Sequence, residues 1–120
     1  MPWPDEHAPE AFCYLTTRGR RSGRSHRIEI WFAVHQGVLY MMAGGREEAD
    51  WVRNLVAEPL VTVEIAGDVR TGIARLVVPD TDEDARARRM LVEKYRAAED
   101  DLQSWGRAAL PVAVEDWRPA

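Results

Sequence analysis

"RIEIWFAVHQGVLYMMAGG", residues 27–45, is the stretch from which the fold follows. In its first nine residues Ile28, Ile30, Phe32 and Val34 fall on one face. Arg27, Glu29, Trp31 and Ala33 fall on the other, which is the period of two of a strand. Gln36-Gly37 reads as a tight turn, and "VLYMMAG" (38–44) returns beside it as the next strand. Beyond Gly44 and Gly45 the period changes. From Glu47 to Glu58, Trp51, Val52, Leu55 and Val56 recur at helical spacing until Pro59 stops them.

Working outward, "AFCYLTT" (11–17) is a strand, and the Gly- and Ser-punctuated "RGRRSG" (18–23) is a turn leading back into the hairpin. On the other side, "LVTVEIA" (60–66) and "VRTGIARLVV" (69–78) are strands joined by Gly67-Asp68. "TDEDARARRMLVEKYRAAED" (81–100) is a helix capped by Thr81, with Ala87, Met90, Leu91, Tyr95 and Ala98 as its inner stripe. A Gly- and Pro-bearing link then leads to a last strand, "VAVEDW" (112–117). The expected fold is α+β and mainly β. It has six strands and two helices in the order β-β-β-α-β-β-α-β, with an antiparallel sheet closed or half-closed into a barrel. No G-x-G-x-x-G follows a strand, which argues against a Rossmann domain. Residues 1–10 read as an N-terminal arm and 11–120 as one domain.

Composition narrows the setting. The chain has 120 residues, 46% of them hydrophobic, which suits one packed core rather than a disordered tail. No apolar run reaches the roughly 18–20 residues of a membrane span, and no secretory signal is legible at the N-terminus. A lone Cys13 gives no internal disulfide, so a cytoplasmic protein is expected. His7, His26 and His35 lack ligand spacing, and no metal site is expected. The net charge is -4, yet residues 16–27, "TTRGRRSGRSHR", carry Arg18, Arg20, Arg21, Arg24 and Arg27 with no acid. The remainder of the chain is therefore at -9. A globally acidic surface repels nucleic acid, so this basic loop suits a compact anion better. Guanidinium groups form bidentate, charge-assisted bonds to phosphate or carboxylate, and the glycines let backbone N–H groups approach the same anion.

"YLTTRGRRSG", a following strand, "GG" and then "DWVRNLVAEPLVTVEI" together resemble the deazaflavin-dependent nitroreductase family, whose members are split β-barrels that bind coenzyme F-420. The similarity runs from about Phe12 to about Val78, with Ser25 and His26 standing where the family usually has Pro and a basic residue. The resemblance implies hydride transfer from reduced deazaflavin to a quinone, nitroaromatic or enone. It assigns Arg20, Arg21, Ser22 and Gly23 to the coenzyme's phosphate and anionic tail, helped by Arg24, His26 and Arg27. Met42, Ala43, Gly44 and Gly45 become the ring edge, with Arg46 reaching toward the phosphate. Trp51 and Asn54 match the family's D-W-x-x-N-L pattern. Tyr40, Tyr95 or water are the candidate proton donors. Homodimerisation is expected by analogy with other split barrels. The alternatives are an FMN- or haem-binding split barrel, a non-catalytic coenzyme carrier and, least favoured, a small RNA-binding barrel, since few aromatics flank the loop.

Overall fold

The computed structural model describes residues 3–97 and 102–120. A single antiparallel sheet is built from β1 (Cys13–Arg18), β2 (Ser25–Ile30), β3 (Ala33–His35), β4 (Val38–Ala43), β5 (Leu60–Ile65), β6 (Asp68–Leu76) and β7 (Leu110–Pro119). Its spatial order is β2-β1-β5-β6-β7-β4-β3. The helices are α1 (Asp50–Ala57), α2 (Asp82–Tyr95) and α3 (Gln103–Ala108). No helix among the described residues is long and apolar enough to cross a membrane.

β2 and β3 lie at opposite ends of the strand order, yet only Trp31 and Phe32 separate them in the chain. Three residue steps span at most roughly 11 Å. The two edges must therefore approach each other at that corner, and the sheet curls into a half-barrel. The single strand expected over 27–35 is thus two strands on opposite edges. The side-chain alternation survives the break: Ile28, Ile30, Phe32 and Val34 pack into the interior cluster, while Trp31 and Ala33 pack into the second one. What the alternation could not show is that the backbone leaves the ladder at the corner. There α2 supplies the missing partners. The Phe32 N–H donates to the Tyr95 hydroxyl at 3.0 Å, and the Lys94 ammonium donates to the Phe32 carbonyl at 2.8 Å.

Two apolar clusters hold the molecule. Cys13, Leu15, Leu39, Met41, Val52, Leu55, Val63, Val112 and Val114 fill the inside of the curl, beneath α1. Tyr40, Met42, Val77, Ala87, Leu91, Tyr95 and Ala113 form the second cluster, where α2 and α3 cover the outer face of β4 and β7. β4 is covered on both faces, which explains why its sequence is almost continuously apolar.

Three further expectations need correction. The helix expected over 47–58 is a short 3-10 turn, Arg46–Glu48, followed by α1 from Asp50, because Ala49 is extended (φ −63, ψ 136) and interrupts it. The link before the last strand contains α3, whose six residues are too few for periodicity to reveal. β7 begins at Leu110 and runs ten residues, longer than 112–117, because β4 and β6 flank it. α2 ends at Tyr95; the expected continuation over 98–100 lies outside the described residues.

Candidate functional site

The β1–β2 connection is a compact loop fastened by its own backbone. The Gly19 N–H donates to the Arg24 carbonyl at 2.7 Å, and the Gly23 N–H donates to the Gly19 carbonyl at 2.9 Å. Gly23 sits at φ +72, where a side chain would be strained. Ser22 Oγ accepts from the Arg24 N–H at 3.2 Å. The N–H groups of Arg21 and Ser22 make no hydrogen bond among the described residues, leaving two backbone donors beside the arginine side chains.

α1 holds this loop from below. Asn54 is 4% exposed, and both its amide oxygen and its amide nitrogen are engaged. Its Oδ1 accepts from the Arg20 N–H at 3.2 Å and from Arg20 Nη1 at 2.9 Å, while its Nδ2 donates to buried Thr17 Oγ1 at 3.3 Å. Asp50, one helical turn earlier, lies 3.5 Å from Arg20 Nη2. Residues four apart share a helical face, so both reach the same guanidinium. Between loop and helix lies a groove of about 440 Å³, bounded by Gly19, Arg20, Arg21, Ser22, His26 and Ile28 on one side and Asp50, Trp51 and Asn54 on the other. A Cβ at Gly19 would come within 2.6 Å of His26 Nε2, so glycine there lets the imidazole close that wall.

The structure divides the remaining sequence-derived residues. Arg27 leaves the groove, since strand alternation turns it to the opposite face. Its guanidinium lies 3.8 Å from the Tyr14 ring centre and 3.4 Å from Glu64. Arg24 is exposed at the turn. Gly44, Gly45 and Arg46 line a separate depression of about 350 Å³ with Glu47 and Glu48. A Cβ at Gly44 would meet nothing within 4 Å, so this backbone is bare toward open space. Arg46 is tied to the Ala108 carbonyl and lies 3.2 Å from Glu47. The side chains of Met42 and Ala43 are buried.

Tyr40 and Tyr95 line neither depression. The Tyr40 hydroxyl donates to Glu83 at 2.6 Å, and burial together with that carboxylate raises its pKa. Tyr95 donates to the Ala11 carbonyl at 2.8 Å, and burial pushes its hydroxyl up to about 12. Glu83 is also held bidentately by Arg75 at 2.8 Å, which lowers its carboxyl to about 2. Sequence reasoning missed Asp50 and Ile28 as parts of the groove, and Thr17 as the buried anchor of Asn54. Asp50 was detectable as the i−4 neighbour of Asn54, whereas Ile28 comes to the groove and Thr17 to Asn54 through strand pairing.

These features define a class: a half-barrel with a cationic, amide-lined groove suited to the anionic part of an extended cofactor, beside a second depression edged by bare glycine backbone. Residues 6–116 match the model of the F420H(2)-dependent quinone reductase family, and the chain belongs to that family. It is accordingly an oxidoreductase that uses coenzyme F-420. A Mycobacterium tuberculosis relative, named for the same quinone reductase activity, is 31% identical over 103 residues, 83% of this chain and 84% of its own length. The solved structure of an F420-H2 dependent reductase (FDR-A) shares the fold with a TM-score of 0.71 at 23% identity, covering 88% of this chain and 94% of that one. The haem storage protein HutZ from Vibrio cholerae shares the fold at 15% identity, with a TM-score of 0.71 over 96% of this chain and 90% of its own.

Proposed function

We propose that this protein reduces an electron-poor small molecule of the quinone, nitroaromatic or enone class, and that its coenzyme lies along α1 from the arginine loop toward Gly44 and Gly45. The observation that carries the reading is the Asn54–Arg20 junction, which presets a cationic loop beside an open groove. When bound, the reduced coenzyme supplies a hydride. The protein's own contribution is positioning. Arg20 and Arg21, with the N–H groups of Arg21 and Ser22, grip phosphate and carboxylate oxygens. Asn54 keeps Arg20 pointed along the groove. Asp50 neutralises Arg20 until an anion takes its place. Gly44 and Gly45 leave room for a flat ring against backbone. With both tyrosine hydroxyls engaged elsewhere, the proton for the product comes from water in the open depression at Gly44 and Gly45. Arg24 and Arg46 add long-range positive charge, the His26 ring closes one wall of the groove, and Arg27 braces the outer sheet face.

The experiment is a fluorescence titration with the deazaflavin coenzyme, with FMN titrated alongside. The double change Arg20→Ala, Arg21→Ala is expected to weaken coenzyme binding by more than about tenfold, as the loss of charge-assisted bonds dictates. Equal retention of coenzyme by this variant would remove the loop from the site. Oxidation of the reduced coenzyme against a panel of quinones and nitroaromatics then tests the substrate class.

We further propose a homodimer working in the cytoplasm. The dimer is supported by a solved structure described as a domain-swapped dimer, 26% identical with a TM-score of 0.69, covering 88% of this chain and 80% of that one. The setting is supported by the single buried cysteine, whose thiol burial pushes up to about 12.

A further inference from the structure

A second cleft, of about 340 Å³, lies between α2 and α3 and shares no residue with the coenzyme groove. Its walls are built deliberately. Arg88 on α2 donates to Asp84 at 3.1 Å and to the carbonyls of Gly106 and Arg107 at 3.0 Å each, which clamps α3 onto α2. A Cβ at Gly106 would come within 2.6 Å of Val92, so glycine there brings the α3 backbone directly against the α2 surface. Around the mouth stand Arg89, Arg96 and Arg107, all exposed. None of the three side chains has an ion-pair or hydrogen-bond partner among the described residues. Glu93 is the one carboxylate among the residues that line the cleft, so cations outnumber anions there in a chain whose net charge is -4.

We propose that this cleft is a second anion-binding site, for a compact ligand carrying two or three phosphate or carboxylate charges. Unpaired guanidiniums from two helices converge on one space, and three planar forks can each take a pair of anionic oxygens. A helix face of solvated arginines needs no such convergence. Arg88 is committed to holding α3, which leaves Arg89, Arg96 and Arg107 as the ligand-facing groups. Glu93 opposes a fully ionised ligand and favours one that places a neutral donor beside it.

The test is calorimetric titration of the full chain at low ionic strength with pyrophosphate and, separately, citrate. Saturable binding of at least one is expected, and the stronger of the two identifies the ligand as a phosphate or a polycarboxylate. Arg89→Ala with Arg107→Ala should weaken it about tenfold or more, while Arg20→Ala with Arg21→Ala, which removes only the binding these anions make at the loop, should leave the cleft's saturable site in place. Both arginines of the first pair are exposed, so that variant keeps its fold. Heats that never saturate, or an equal loss in the Arg20/Arg21 variant, would overturn the proposal. Glu99, Asp100 and Asp101 follow Arg96 closely in the sequence and are the competing source of negative charge. The variant Glu99→Gln, Asp100→Asn, Asp101→Asn should bind the same anion more tightly. Binding seen only in that variant would overturn the proposal too, because the cleft would then serve the chain's own acids.

Discussion

Asn54 shows how one buried amide fixes an arginine loop against a helix. It satisfies a backbone N–H and a guanidinium together and is itself anchored to Thr17. Asn54→Ala would leave the part-buried Arg20 donors and the buried Thr17 hydroxyl without this partner, at a cost of about 1–3 kcal/mol. It should also weaken coenzyme binding several-fold. In an Arg20→Ala background the same change should weaken binding much less, because the two residues act as a unit. A double-mutant cycle by fluorescence titration measures this, and full additivity would mean that Asn54 acts independently of Arg20. Glu83 gives a pH prediction. Its folded pKa of about 2 lies below the ordinary carboxyl value of 4.5, so the folded state binds the proton less tightly than the unfolded one. The stability it contributes is present above about pH 4.5 and is lost as pH falls toward 2. Glu83→Gln should flatten that acid limb in denaturation curves collected across the window. An unchanged slope would show that Arg75 and Tyr40 do not hold Glu83 in solution.

At the scale of elements, the junction of β6 and β7 depends on a glycine. The register shifts between Thr71 and Ile73, and a Cβ at Gly72 would lie 2.8 Å from Val114 Cγ1 and 2.9 Å from the Trp117 ring. Gly72→Ala should therefore overpack the sheet and cost about 1–3 kcal/mol, read as a lowered denaturation midpoint. The hairpin of 27–45 and the apolar stripe of α2 were legible because period and turn chemistry are local. The break at Trp31-Phe32 was not, since it depends on Tyr95 and Lys94 arriving from more than sixty residues away. α1 was legible in its apolar positions, but its start was not, because the backbone at Ala49 is set by the turn before it.

For the whole molecule, the N-terminal residues are bound into the fold. Trp3 packs edge-on against Trp117 at 4.5 Å between ring centres, and its indole N–H donates to Asp68 at 2.8 Å. His7 lies 2.9 Å from the same carboxylate, and Asp5 accepts from the Gly37 N–H at 2.9 Å. Trp3→Ala should lower stability by about 1–3 kcal/mol and make Trp117 fluorescence more solvent-like. A change below half a kcal/mol would mean the arm contributes little. The proposed homodimer belongs at this scale as well. Light scattering after size separation should return twice the 13.7 kDa chain mass, and a single-chain mass would refute it.

Local chemistry in the sequence determined that this is an antiparallel, mainly β fold with a strongly cationic loop, and motif order pointed to the deazaflavin class. Strand period, turn glycines and charge clustering are set by neighbours within a few positions, so they can be read directly. Only the tertiary structure decided which arginines share a space. Curling the sheet and docking α1 put Arg20 and Arg21 into the groove, while strand alternation sent Arg27 to the other face. The same packing brought Arg89, Arg96 and Arg107 together across two helices. Which charges converge depends on how distant elements pack, and no local pattern encodes that.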